Sequence, residues 1–242
     1  MRLRDAYLDL VLGASCLGCG TPGRLLCGSC ASGLPLEAHD TRPVPCPDGL
    51  ARTVAAAPYD GLVRAMVIGL KEQGLLGLTA PLGSLLGLSV ERIAPATTAP
   101  LVPLVLVPVP SRPSSVRARG LDSTRAVAER AAGRLRREGR VVSVAPLLRT
   151  RAGLHDQAGL DAHERAANLA GSLTCPAPGL RRLARRAEEV VVVVCDDVVT
   201  TGATAREAQR ALAEVGLPIA GIAAVAATVR RSLRVADPCA LS

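Results

Sequence analysis

Two adjacent carboxylates, Asp196 and Asp197, stand just before a segment rich in hydroxyl groups, residues 200–204. That segment contains a glycine and leads into a helix-forming run over 205–212. At a helix N-terminus, hydroxyls, free backbone N–H groups and the helix dipole together favour a bound phosphate. Carboxylates do not bind phosphate, but they accept hydrogen bonds from sugar hydroxyls or hold Mg²⁺ directly or through water. The pattern therefore predicts a site for a phosphorylated ribose.

Other phosphate-binding motifs do not fit this segment. It has neither the Gly-Lys-Thr/Ser of a Walker A loop nor the Gly-x-Gly-x-x-Gly turn of dinucleotide-binding folds. A purely structural alternative is that Asp196 and Asp197 cap the following helix while the threonines satisfy a loop. Capping needs one such residue, whereas six polar or small residues stand here in order. We therefore favour a ligand site.

The elements that must position these groups are buried strands. Residues 190–194 are five consecutive valines, closed by Cys195, which is typical of a central parallel strand buried on both faces. A second strand is predicted over 101–107 and ends in a proline-rich loop that contains Ser111 and Arg112. Because ligands bind at the carboxyl ends of parallel strands, this loop is predicted to share the site.

Helices and strands alternate along the rest of the chain. Apolar periodicity predicts helices over 59–71, 79–92 and 123–137 and a last strand over 217–229. This alternation implies an α/β fold with a parallel sheet flanked by helices. The first of these helices is expected to be capped by Asp60 and to end at Lys71, the only lysine. Lys71 has two interpretations, a favourable contact with the helix dipole or a contact with a phosphate.

Four cysteines near the amino terminus have the spacing of a metal site. They form two Cys-x-x-Cys pairs, Cys16 with Cys19 and Cys27 with Cys30. Four thiolates can close tetrahedrally on one Zn²⁺, and such a site is structural because no coordination position remains for water. A redox dithiol, which needs only one pair, and an iron–sulfur cluster are the alternatives. Ligand type and spacing favour structural zinc.

The composition restricts the classes of function. The 242-residue chain is 49% apolar but 1% aromatic, which argues against a stacking platform for single-stranded nucleic acid. The net charge of +8, carried almost entirely by arginine, suits a polyanionic small molecule or nucleic acid. Charges interrupt the first ten residues and prolines interrupt the longest uncharged run. We therefore expect no signal peptide and no membrane-spanning helix, a cytoplasmic location and reduced thiols.

Residues 192–204 resemble the phosphoribosyl-diphosphate-binding motif of the type I phosphoribosyltransferases. With other blocks in the same order, they make the chain similar to the ComF/GntX family of phosphoribosyltransferase-like proteins. Those blocks are the cysteine pairs, Tyr59-Asp60-Gly61, Leu70-Lys71, Val107-Pro108-Val109-Pro110, Arg117-x-Arg119-Gly120 and Gln157…Leu160…Arg165…Asn168. In one departure, Leu121-Asp122-Ser123 stands where the family usually has Phe-Asn-Gln.

The resemblance implies a type I phosphoribosyltransferase-like domain over 51–242, preceded by a zinc module and linker over 1–50. It implies that Asp196 and Asp197 are the catalytic pair, bound to the ribose hydroxyls, with Mg²⁺ accompanying phosphoribosyl diphosphate. The implied substrate-binding residues are Ser111, Arg112 and Arg119 at the diphosphate and Val198, Val199, Thr200, Thr201, Gly202, Ala203 and Thr204 around the 5′-phosphate.

Three functions are compatible with these features. One is transfer of phosphoribose to an acceptor, and another is a role as a metabolite-binding regulator without catalysis. The remaining one is an accessory role in DNA uptake, implied by the family resemblance, with single-stranded DNA or a helicase as partner.

A polar stretch over 149–160 is expected to form a mobile lid. Within it, His155 is interpreted as an exposed loop residue, with a general base as the alternative.

Overall fold

The computed structural model describes residues 14–94, 102–111, 116, 120–151, 171–185 and 189–228. The described strands are β1 (His39–Thr41), β2 (Thr53–Pro58), β3 (Leu104–Pro108), β4 (Val142–Val144), β5 (Arg149–Thr150), β6 (Leu173–Thr174), β7 (Val191–Val199) and β8 (Gly221–Ala227). The described helices are α1 (Gly28–Ser32), α2 (Gly61–Gln73), α3 (Thr79–Ile93), α4 (Ser123–Arg137), α5 (Ala177–Ala184) and α6 (Ala203–Ala213). Among these helices, none has the length and apolarity needed to cross a membrane.

Six strands form one sheet in the order β1-β2-β8-β7-β3-β4, and β5 and β6 form a separate antiparallel pair. Within the large sheet every neighbouring pair is parallel except β1 and β2. Helices cover both faces, which confirms the predicted α/β class with a mainly parallel sheet. Strand β1 belongs to the first fifty residues of the chain and extends the sheet at its edge.

The valine-rich strand β7 lies at the centre of two hydrophobic cores. On one face, Val193 and Cys195 pack with residues of α2, α3 and α4. On the other face, Val192 and Val194 pack with the small side chains of α6. Each of these four strand residues is at most 2% exposed. The predicted burial of this strand on both faces is confirmed, since side chains alternate between faces along a strand.

Several element boundaries differ from the predictions. Helix α2 runs from Gly61 to Gln73, β3 begins at Leu104 and β8 spans Gly221–Ala227. Strand β7 does not end at Cys195, because β8 continues to pair with it through Val198 and Val199. Asp196 and Asp197 are therefore strand residues instead of the start of a loop. Asp60 occupies the N-cap position of α2, but its side chain makes no capping hydrogen bond. The predictions for α3 and α4 agree with the structure to within one residue.

Close packing of α3 against α4 depends on one glycine. A Cβ atom at Gly83 would lie 2.4 Å from the Cβ of Arg130 and 3.1 Å from the backbone of Val127 and Ala131. The helices can approach this closely only because Gly83 has no side chain. Gly133, in the interior of α4, has no such neighbour within 4 Å of the same position.

These two glycines should respond to alanine with opposite sign. We expect Gly83→Ala to destabilise the fold by about 1–3 kcal/mol, because backbone atoms must move to admit the methyl group. Gly133→Ala should stabilise it by about 0.5–1 kcal/mol, because alanine is the better helix former and its methyl group has room. Urea unfolding of both variants measures the difference, and equal effects would contradict the described packing.

Candidate functional site

The candidate site lies where β3 ends beside β7, which continues to Val199. Pro108, the last residue of β3, is opposite Cys195 in the register, and Val109 extends the pairing through a 2.9 Å hydrogen bond from its N–H to the Cys195 carbonyl. Ser111 lies two residues further along the chain, and its contact with Asp122 places it beside the start of α4, where Thr124 reaches Asp197. The structure thus brings Ser111 and the acidic pair to the same edge of the sheet.

Ser111 is held by Asp122, the N-cap residue of α4. Its Oγ donates a 2.9 Å hydrogen bond to Oδ1 of Asp122. The same carboxylate oxygen accepts the N–H of Arg125 at 3.1 Å and so caps α4. Asp122 thus fixes both the start of α4 and the orientation of the Ser111 hydroxyl, and this dual role was not predicted.

Asp197 lies on the α2–α4 face of β7 and is 7% exposed. Its Oδ2 is 2.6 Å from Nζ of Lys71 and accepts a 3.3 Å hydrogen bond from Oγ1 of Thr124. Its Oδ1 accepts the N–H of Val198 at 2.7 Å. A carboxylate with this set of partners is held in one orientation, so the geometry of the acidic pair is fixed before any ligand binds.

Lys71 connects α2 to the acidic pair. It lies in the last turn of α2, as predicted, but its ammonium group contacts Asp197, which neither sequence interpretation included. Burial opposes the charge on Lys71, yet the negative charges of Asp197 and Asp196 outweigh this effect and raise the pKa of the lysine. Lys71 therefore supplies a permanent positive charge at the site.

Asp196 points to the opposite face of the strand and is half-buried. Its Oδ1 accepts the N–H of Asp197 at 2.9 Å. Burial and then the negative charge of Asp197 raise the pKa of Asp196 to about 7, while the charge of Lys71 acts in the other direction. The pair therefore carries charge that is only partly compensated, and a cation or hydroxyl donors would be stabilised beside it.

Residues 200–204, which we call the 200–204 loop, connect the end of β7 to the first turn of α6. Helix α6 begins at Ala203, and Gly202 precedes it with a φ of 73°, in the left-handed region that favours glycine. Thr228 holds the start of the loop, because its N–H donates to the Val199 carbonyl at 3.0 Å and its Oγ1 to the Thr200 carbonyl at 3.3 Å. Of the predicted phosphate-binding residues, 200–204 thus stand at a helix N-terminus, whereas Val198 and Val199 belong to β7.

The hairpin of β5 and β6 is attached to α6 by two side chains. Glu207, which is buried, accepts the N–H of Leu173 at 2.9 Å, and Arg210 donates to the Leu173 carbonyl at 3.0 Å. Glu207 and Arg210 also pair with each other at 2.7 Å. Together they satisfy both backbone groups of a strand residue, which places the hairpin beside the helix that follows the 200–204 loop.

Several predicted residues lie outside the part of the chain that the structure describes. These are Arg112, Arg117, Arg119, most of the predicted lid over 149–160 with His155, and Gln157, Leu160, Arg165 and Asn168. Their roles stay predictions.

The four amino-terminal cysteines are placed to bind a metal ion. The Sγ atoms of Cys16, Cys19, Cys27 and Cys30 all lie within 4.8 Å of one another, and those of Cys19 and Cys27 are 3.6 Å apart. Four thiolates at about 2.3 Å from a tetrahedral Zn²⁺ would be about 3.8 Å apart. The donor set and spacing therefore fit a four-coordinate ion.

The ionisation of these thiols also calls for a cation. Backbone N–H groups, first that of Cys27, lower the pKa of Cys16 to about 6. The neighbouring sulfurs, first that of Cys27, raise the pKa of Cys30 to about 12. One thiol is thus stabilised as a thiolate while another resists ionisation, and a bound metal ion would allow all four to ionise.

Comparison of the sequence with models of known protein families gives no match, and a search among curated proteins gives no relative.

The raised pKa of Asp196 predicts an unusual dependence of stability on pH. A carboxyl whose pKa is higher in the folded than in the unfolded state costs stability as it ionises, so its contribution becomes less favourable as pH rises from about 4 to 7. We expect Asp196→Asn to be more stable than wild type at pH 8 without added Mg²⁺, and the gain to shrink as pH is lowered to 5.5.

Urea unfolding at pH 8, 7 and 5.5 measures this dependence. The matched control is Glu72→Gln, the same change at an exposed position of α2. A stability gain for Asp196→Asn that grows as pH falls would show that the aspartate is stabilised as the anion.

Proposed function

We propose that the protein binds phosphoribosyl diphosphate with Mg²⁺ at the edge formed by β3 and β7, in the manner of a type I phosphoribosyltransferase. The observation that carries this proposal is the order of groups on one strand and the helix after it. A fixed acidic pair on β7 is followed, within five residues, by a left-handed glycine turn at the N-terminus of α6. Groups suited to sugar hydroxyls and groups suited to a phosphate therefore follow each other along the chain at one edge of the sheet.

Each end of the ligand has a group suited to it. The N–H groups and hydroxyls of 200–204 would hold the 5′-phosphate, since the dipole of α6 favours an anion there. Asp196 and Asp197 would accept hydrogen bonds from the ribose hydroxyls. Ser111, at the end of β3, would face the diphosphate, joined by the predicted Arg112 and Arg119.

The residues also fit a hard cation beside the ligand. Carboxylate oxygens and diphosphate oxygens are ligands that Mg²⁺ prefers, and Mg²⁺ keeps several waters in such sites. When bound, Mg²⁺ would supply positive charge to the departing diphosphate. Lys71, 2.6 Å from Oδ2 of Asp197, would hold that carboxylate in the orientation in which it faces the ligand.

The reaction that this arrangement supports is breakage of the bond between the anomeric carbon and the diphosphate oxygen. The electron pair leaves with diphosphate, and the ribose becomes cation-like before an acceptor supplies a new pair. Positive groups around the diphosphate would stabilise charge that grows mainly in the transition state, which raises the rate more than ground-state binding does.

We further propose that the metal held by the four cysteines is zinc and that its role is structural. Four protein thiolates complete a tetrahedral shell and leave no position for a reacting water. Leu17 and Leu25, between and beside the ligands, pack against the core next to α2. The ion would thus hold the amino-terminal chain against the helix that carries Lys71.

Phosphoribosyl diphosphate with Mg²⁺ should raise the melting temperature of the wild-type protein. At 100-fold excess over the dissociation constant, a ligand that binds only the folded state adds about 2.7 kcal/mol of stability. We expect the double variant Asp196→Asn/Asp197→Asn to lose most of the shift, because the ribose and cation contacts are gone. Differential scanning fluorimetry measures both.

The control for this experiment is Glu72→Gln, which should keep the full shift. Isothermal titration with phosphoribosyl diphosphate and then with a short single-stranded DNA separates the candidate functions. Binding of DNA alone, weakening steeply as salt rises, would favour the DNA-uptake role over the proposal.

Metal analysis should find one zinc ion per chain. We expect Cys16→Ser to lose the metal and to lower the yield of folded protein, because the ion offsets the repulsion of crowded thiolates and its binding energy contributes to folding. Cys195→Ser is not a suitable control, because Cys195 is buried in the sheet. Cys46→Ser is suitable, since Cys46 is not among the four clustered thiols. Metal-free Cys16→Ser that folds in equal yield would contradict a structural role.

A further inference from the structure

The connection between β1 and β2, residues 42–52, packs against α6 and the 200–204 loop. We call residues 43–50 the proline segment, since it contains Pro43, Pro45 and Pro47. It precedes β2 and lies far from the 200–204 loop in sequence. Leu50 and Ala51 join the core on the α6 face of the sheet. A part of the first fifty residues thus reaches the candidate phosphate site.

The proline segment contacts the glycine turn directly. A Cβ atom at Gly202 would lie 2.9 Å from Cδ2 of Leu50, 2.9 Å from Cγ of Pro43 and 3.4 Å from Cδ of Pro47. Gly202 is therefore required for two reasons, its left-handed φ and this close approach. The turn lies between the proline segment on one side and Thr228 on the other.

Hydrogen bonds from α6 hold the proline segment in place. The side-chain amide of Gln209 donates from Nε2 to the Gly49 carbonyl and accepts at Oε1 from the N–H of Ala51, both at 2.9 Å. One turn earlier, Nε of Arg206 donates to the Asp48 carbonyl at 2.9 Å. Residues three apart lie on one face of a helix, so Arg206 and Gln209 both form hydrogen bonds with the backbone of residues 48–51.

We propose that the proline segment holds the backbone of the candidate phosphate site in its binding conformation. Gln209 is the residue that positions this segment. Phosphate is to be bound by backbone N–H groups of 200–204, and affinity from such groups depends on how well they are held in position before the ligand arrives. Gln209 does not touch the ligand. Its hydrogen bonds hold the proline segment in place, and the proline segment packs against Gly202. The inference rests on the proposed function for the identity of the ligand.

The test compares Gln209→Met with Gln73→Met. Methionine keeps the length of the side chain and removes both polar atoms, and Gln73 is exposed at the end of α2. Hydrogen exchange of residues 200–206 is measured without ligand, and the dissociation constant for phosphoribosyl diphosphate with Mg²⁺ by isothermal titration. We expect faster exchange and about tenfold weaker binding for Gln209→Met, from the loss of two hydrogen bonds. Gln73→Met should change neither.

A second variant, Gln209→Glu, tests the donor to Gly49. It keeps an acceptor for the Ala51 N–H but sets a carboxylate oxygen against the Gly49 carbonyl, so the repulsion should change both readouts at least as much as Gln209→Met does. Unchanged exchange and affinity in Gln209→Met would overturn the inference. Faster exchange with unchanged affinity would also overturn it, because the contact would then be structural only.

Failure of the proposed function has a different signature. Wild-type protein that binds neither phosphoribosyl diphosphate nor ribose 5-phosphate would refute the proposed ligand. Hydrogen exchange over 200–206 in Gln209→Met would still decide whether the proline segment supports the loop.

Discussion

Helices cover β7 on both faces, and this constraint decides where the fold can place polar chemistry. Along most of the strand only apolar side chains fit. Polar groups collect at its carboxyl end, where Asp197 still lies 7% exposed. An anion at that depth needs a partner, and Lys71 provides one from α2. Such a pair contributes little net stability, because removing two charges from water is costly. Its value is to hold a carboxylate in one orientation.

Much of the framework could be predicted from the sequence because its signals are local. Consecutive valines identify a strand buried on both faces, and apolar periodicity gave α3 and α4 nearly to the residue. The spacing of the cysteines sufficed to predict a metal-binding cluster. In each case the residues that carry the signal are close neighbours in the chain.

The missed features depend on residues that are distant in sequence. Strand β2 is rich in alanine, which has low strand propensity, and it forms because β8 pairs with it in parallel. The contacts of Lys71 with Asp197 and of Gln209 with the β1–β2 connection join segments more than a hundred residues apart. Asp60 shows the opposite error, since a local signal predicted a cap that the side chain does not make.

Because aromatic side chains are scarce, the protein absorbs and fluoresces only weakly in the near ultraviolet. The chain has no Trp or Phe and two tyrosines. One of these, Tyr59, packs against the core just before α2. The intrinsic fluorophore that the structure describes therefore reports on the packing at the start of the helix that carries Lys71. A tryptophan introduced near the 200–204 loop would be the only indole in the protein, so its emission would follow events at this edge of the sheet without background.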